Sequence, residues 1–341
     1  GTVLTTNLQA TAATGITLNT DVSTLTASVT AVGDVMVNEL NQITIQSLIT
    51  ANGAITVSAG GTITAQSVTT AAVSDGSNHI RLQTTAGDIL LGSIQAGTDH
   101  VTIQSAEAIR DSLVGEGAGN ANVIATELNL VATSGIGRID DTDDLDVQLG
   151  SATTTGKLNA VNSGTFGDIA IVQLATGGNL LVTGLAQTKI EEQTGGIDLL
   201  VEGDELTLAG SGVQVTGSGS VSLRTGSVSG ANAIRIQAPI SSRSGSVEVK
   251  ASGELTQAAA VNTTTGNISM TAVSGGITMA PGTVTSSLAG NVTYNASSTI
   301  QAATVRTAMN GAISIITKRA DSDADANADV TLTESISTEQ G

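Results

Sequence analysis

One short motif recurs along nearly the whole chain: a glycine, a small or polar residue, then an apolar–polar–apolar triplet. It stands at Gly33-Asp34-Val35-Met36-Val37, Gly53-Ala54-Ile55-Thr56-Val57 and Gly87-Asp88-Ile89-Leu90-Leu91. It returns at Gly167-Asp168-Ile169-Ala170-Ile171, Gly219-Ser220-Val221-Ser222-Leu223 and Gly245-Ser246-Val247-Glu248-Val249. Later copies are Gly266-Asn267-Ile268-Ser269-Met270, Gly290-Asn291-Val292-Thr293-Tyr294 and Gly311-Ala312-Ile313-Ser314-Ile315. His79-Ile80-Arg81-Leu82, His100-Val101-Thr102-Ile103 and Glu127-Leu128-Asn129-Leu130 keep the alternation without the glycine. The first apolar positions fall at 35, 55, 80, 101 and 128, and again at 247, 268, 292 and 313. Spacings of that size belong to solenoids. Strict alternation marks each copy as a strand with one buried face. The leading glycine supplies either a positive φ or a tight corner.

A weaker second strand follows many copies, as in Gly61-Thr62-Ile63-Thr64-Ala65. The pattern therefore describes an all-β chain, a parallel β-helix (β-solenoid) of about 15 coils of roughly 20–25 residues. One coil cannot bury its apolar face alone, whereas stacked coils make a continuous column. Tandem immunoglobulin-like sandwiches would need a period near 100 residues and buried aromatics, and the chain has neither.

Composition sharpens this reading. Of 341 residues 40% are hydrophobic, yet there is one Phe, one Tyr and no Trp. A core built from Val, Ile, Leu and Ala must be narrow. Phe166 and Tyr294 are then the positions where the column is expected to widen or end. The whole of 1–341 reads as a single shaft, with irregular insertions near 106–122, 138–146 and 318–329. It begins with Gly1 and is expected to be a segment of a longer protein.

The formal charge is −18, from 30 acidic and 12 basic residues. Such a surface repels nucleic-acid backbones. No apolar run is long enough to span a membrane. The absence of cysteine excludes disulfides and thiolate metal sites, and it suits a chain exported unfolded.

Val131-Ala132-Thr133-Ser134-Gly135-Ile136-Gly137, followed by Asp140-Asp141-Thr142-Asp143-Asp144-Leu145-Asp146-Val147, resembles a segment of the large bacterial β-strand-repeat exoproteins similar to filamentous haemagglutinin. Thr142-Asp143-Asp144 stands where that family often has a proline-containing loop. The coils at 53–70 and 266–279 are similar to the family's repeats. The resemblance implies a right-handed β-helical shaft, secretion as an unfolded chain, and a role in adhesion or surface coating. Expected partners are neighbouring coils or copies end to end, and a cell-surface receptor or glycan. The expected location is extracellular, at the bacterial surface.

Several residues invite a chemical reading. Asp321, Asp323, Asp325, Asn327 and Asp329 alternate through an Ala/Ser loop and could converge on Ca²⁺, a hard cation that wants six to eight oxygens. Ala326 stands where an EF-hand loop has glycine, and Glu334 lies near the closing acidic position. The competing reading is a solvated acidic loop. Asp140, Asp141, Asp143 and Asp144, with Asp146, crowd five carboxylates into seven residues, to be relieved by a divalent cation or spent on turn-capping. His79 and His100, the two histidines, hold the same place in matching strands. They could chelate a metal, with Asp99, or sense pH, or be plain surface residues.

Catalysis is not expected. Asn19-Thr20-Asp21 and Asp140-Asp141 match two fragments of the polygalacturonase constellation, but they lie far apart, and Gly-His-Gly and Arg-x-Lys are absent. Outward Thr and Ser, such as Thr56, Thr102, Ser222 and Ser269, fit ordinary strand propensity better than an ice-binding array.

Overall fold

The computed structural model describes residues 1–70, 77–113, 120–139, 143–189, 194–226, 232–309, 311–317 and 329–339. Among them there is no helix; parallel strands stack into a β-solenoid. The chain divides into two compact units, Gly1–Gly178 and Asn179–Gly341.

In the first unit the alternating triplets stack in register. Val35 pairs with Ile55, Ile55 with Ile80, Ile80 with Val101, Val101 with Leu128 and Leu128 with Leu158. A second face runs Ile43, Ile63, Ile89, Ile109 in the same way. These side chains are buried, and each contributes about 1.5–3 kcal/mol by leaving water. An antiparallel hairpin breaks the pattern, pairing Gly150 with Thr155 and Ser151 with Thr154.

The second unit is more regular. Val221–Thr225, Ile234–Ile236 and Ile240–Ser242 form one coil; Val247–Ala251, Leu255–Gln257 and Val261–Thr263 form the next. Ile197, Val221, Val247, Ile268, Val292 and Ile313 make one column. Leu206, Ile234, Leu255, Ile277, Ile300 and Val330 make another. The coil count comes out slightly below the expected 15. Some coils are longer than 25 residues, as between Leu128 and Leu158 or Ile300 and Val330.

In the second unit the corner glycines act through closeness. A Cβ on Gly245 would lie 1.9 Å from the Gly219 carbonyl oxygen, and one on Gly266 would lie 2.1 Å from that of Gly245. The next, on Gly290, would lie 2.0 Å from the Gly266 oxygen. None of these three has positive φ, so the missing side chain, not conformational freedom, is what the corner uses. A hydroxyl three residues earlier locks each corner. Ser242 Oγ donates to Gly219 O at 3.1 Å, Thr263 Oγ1 to Gly245 O at 3.0 Å, and Ser287 Oγ to Gly266 O at 2.8 Å.

The residue after the glycine reaches forward to the following coil. Asn267 Oδ1 accepts the Asn291 N–H and Asn291 Oδ1 the Ala312 N–H, both at 2.8 Å. Asp34 and Asp88 do the same for the Ala54 and Ala108 N–H groups.

The two aromatic residues part company. Tyr294 is fully buried in the column; its hydroxyl donates to Thr285 Oγ1 at 2.6 Å and lies 3.1 Å from Gln257 Oε1. Phe166 is 69% exposed and lies outside the column. It precedes Gly167, whose backbone approaches the Ser134 carbonyl too closely to admit a Cβ.

Candidate functional site

Most of the acidic loop expected to take Ca²⁺ lies outside the described residues: Asp321, Asp323, Asp325 and Asn327 belong there. Asp329 is exposed, and its backbone carbonyl accepts the Ile300 N–H at 3.0 Å. Glu334 is engaged elsewhere. Its Oε1 accepts the Gly282 N–H at 2.7 Å and its Oε2 the Thr304 hydroxyl at 2.6 Å. Those two donors hold its carboxyl below the usual range.

In the second acidic cluster, Asp140 and Asp141 also lie outside the described residues. Asp143 sits 3.6 Å from the Arg138 guanidinium. Asp146 is buried, its N–H donating to Asn122 Oδ1 at 2.9 Å. Among the described residues, no three His, Asp or Glu side chains come close enough together to hold a metal ion.

The histidines are brought together. The pairing of Ile80 with Val101 sets His79 and His100 on neighbouring rungs. Their rings stack with centroids 5.0 Å apart and planes 3° from parallel. His100 is exposed and His79 half-buried. Asp99 does not join them: it is buried, and its Oδ2 accepts the Asn78 N–H at 3.1 Å. Glu127 and Lys157 continue the same column, since His100 pairs with Glu127 and Glu127 with Lys157. Lys157 Nζ lies 3.8 Å from Glu127 Oε2, and Asn129 Nδ2 donates to Glu127 Oε1 at 3.1 Å. The signal for Glu127 was present in the sequence, because it opens Glu127-Leu128-Asn129-Leu130 just as the histidines open their triplets.

Other surfaces of the first unit are hydroxyl- and amide-lined. Thr5, Ser23, Asn41 and Gln42 edge one open groove, and Thr24, Thr44, Thr62 and Thr64 another. Asp21, part of the Asn19-Thr20-Asp21 fragment, accepts from Asn41 Nδ2 at 3.1 Å, while Thr20 is buried. In the second unit the outward hydroxyl ranks are interrupted. Thr207, Arg235, Thr256 and Thr278 share one column; Ser222, Glu248, Ser269 and Thr293 share another. Arg235 is itself occupied, its guanidinium bonded to both Glu205 oxygens at 3.0 and 3.1 Å, which raises its pKa further.

Among the described residues, the last strands of the second unit offer apolar surface. Ile313, Ile315, Val330, Leu332 and Ile336 line a shallow trough, with Val330 and Leu332 exposed. No protein-family model, curated protein or solved structure matches this chain.

Proposed function

We propose that this chain is a structural shaft segment of a secreted bacterial surface protein of the filamentous-haemagglutinin-like kind, serving adhesion, surface coating or filament formation without catalysis. The observation that carries the reading is the in-register stacking of one kind of apolar residue, coil after coil. Val221, Val247, Ile268 and Val292 are one such column. Such stacking joins continuous backbone ladders to a dry column, which resists bending and leaves few loops for a protease. The outward Ser, Thr and acidic residues keep the surface hydrated. The trough around Val330 and Leu332 suits a further coil, from a longer chain or a second copy, laid on as a parallel strand.

Negative-stain electron microscopy tests the reading directly. Thin rods that survive prolonged protease treatment are expected; compact globules, or rapid digestion to small fragments, would end it.

The hydroxyl- and amide-lined grooves around Ser23 and Gln42 favour one second reading, a surface that binds polysaccharide through hydrogen bonds without ring stacking. Retention on a glycan array, lost in Gln42→Ala with Thr44→Ala, would support it. Release of new reducing or unsaturated ends from acidic polysaccharides would overturn the non-catalytic reading.

A further inference from the structure

From the stacked imidazoles we infer that His79 and His100 form a two-residue binding site for a divalent transition metal, Zn²⁺ or Ni²⁺ in class. The site would staple one coil of the first unit to the next.

The argument starts from register. In a parallel ladder, equivalent residues on adjacent strands repeat at about 4.8 Å, and the backbone fixes that spacing. The two rings already face each other at 5.0 Å and 3°. A metal held by two imidazole nitrogens at about 2.0–2.1 Å in tetrahedral geometry needs those nitrogens about 3.3 Å apart. Imidazole lone pairs lie in the ring plane, so the stacked rings must turn about their Cβ–Cγ bonds until both nitrogens converge on one ion. His100, being exposed, has room for that turn. Both strands are anchored behind the rings by Ile80, Leu82, Val101 and Ile103, all fully buried. The ligand carriers are therefore preorganised, and little order has to be gained on binding.

The surroundings suit a cation. Glu127 occupies the next rung of the column, with Lys157 beyond it as its ion-pair partner. Asp99, next to His100 in the chain, takes no part, its carboxylate being turned to the Asn78 N–H. Arg81 is drawn towards amides, its Nη2 donating to Gln83 Oε1 at 3.0 Å. Water fills the remaining coordination positions, as in sites that are not closed by protein. Imidazole ligands select Zn²⁺, Ni²⁺ and Cu²⁺ over Ca²⁺ and Mg²⁺, which want oxygen.

Because the chain has two histidines, their ring protons are readily assigned by proton NMR from the single variants. Zn²⁺ titration at neutral pH should move both sets of ring signals together and saturate at one ion per chain. His79→Asn and His100→Asn should each weaken Zn²⁺ binding by about 100-fold or more, the loss of a chelate partner. Ca²⁺ should leave the ring signals in place. Movement of one ring only, or calorimetric Zn²⁺ binding that survives unchanged in the double variant, would overturn the site. Circular dichroism of the variants checks that the fold persists, as expected for two outward residues.

Discussion

Residues 120–178 and residues 213–296 solve the same problem with different side chains. In the later region the coils advance in near-equal steps, with Val221, Val247, Ile268 and Val292 in register. A short hydroxyl at Ser242, Thr263 or Ser287 is enough to reach the neighbouring coil's carbonyl. In the earlier region the steps lengthen and a hairpin intrudes, and buried amides take over. Asn162 Oδ1 accepts the Gly135 N–H at 3.2 Å, while its Nδ2 donates to Phe166 O and Gly167 O, each at 2.9 Å. Asn122 bridges Asp146 N–H to Leu91 O, and Gln173 holds both polar groups of Leu149. Even coil length lets backbone meet backbone through one oxygen. Uneven length leaves gaps that need a longer side chain with both a donor and an acceptor.

The sharpest way to break that contrast is to remove an amide where no backbone can replace it. Asn162→Ala removes the acceptor of the buried Gly135 N–H and the donor to the half-buried Phe166 and Gly167 carbonyls. With each unsatisfied group costing about 1–3 kcal/mol, a loss of about 3–5 kcal/mol in unfolding free energy is expected after water partly relieves the site. Urea denaturation measures it, and a loss under about 1 kcal/mol would mean the amide clamps are ornamental.

In the regular region the equivalent weak point is the glycine stack. Gly266→Ala puts a methyl against the Gly245 carbonyl. Backbone on both sides has to move, which places the cost near the upper end of overpacking, about 3 kcal/mol. Gly282→Ala is the control: Gly282 has φ of +80° but open space around it, so only about 1–2 kcal/mol of left-handed strain is expected. A loss at Gly266 no larger than at Gly282 would mean that the neighbouring backbone gives way cheaply and that closeness does not select glycine at the corner.

Those corners also mark where the sequence was readable and where it was not. The columns through Val35, Ile55, Ile80, Val101 and Leu128 were legible because alternation encodes which face is buried. The glycines were legible as corners, but closeness to a carbonyl one coil away depends on register, which the local sequence does not carry. The Ser/Thr-x-x-Gly signature at Thr50, Ser242, Thr263 and Ser287 was visible, but it gains meaning only once Thr50 is seen to donate to Gly33 O and Thr263 to Gly245 O. Nothing local in the sequence marks Asn78, Asn122 or Asn162 as an amide that faces inward. The histidine pair was legible from its matching place in two triplets. Asp99 was misjudged beside it, because the turn aims its carboxylate at the Asn78 N–H.

A gentler test trims one hydroxyl from the regular corner. Thr263→Val keeps the shape and removes the bond to Gly245 O, along with the one from Gly266 N–H to Thr263 Oγ1 at 3.2 Å. About 1–2 kcal/mol should be lost, less than at Asn162 because fewer partners are stranded. If Thr263→Val costs as much as Asn162→Ala, the distinction between hydroxyl and amide corners fails.

The smallest effect probes the place where the regular region borrows an amide. Gln257 Nε2 donates to Thr285 Oγ1 at 2.8 Å beneath the Tyr294 hydroxyl, so one aromatic ring has brought a polar cluster into the column. Tyr294→Phe should cost about 1 kcal/mol at neutral pH, because Gln257 and Thr285 keep each other. The two proteins should then separate in alkali. Burial pushes the Tyr294 phenol up, and the Thr285 hydrogen bond only partly opposes it. The folded state therefore keeps a proton that the unfolded phenol releases near pH 10. The stability this proton contributes is fully present below about pH 10 and drains away above it, at up to about 1.4 kcal/mol per pH unit. Tyr294→Phe lacks that drain, so its disadvantage should shrink and then reverse as the pH climbs past 10. Parallel stability–pH curves for the two proteins would mean the phenol reaches solvent, and that the column opens around its single ring.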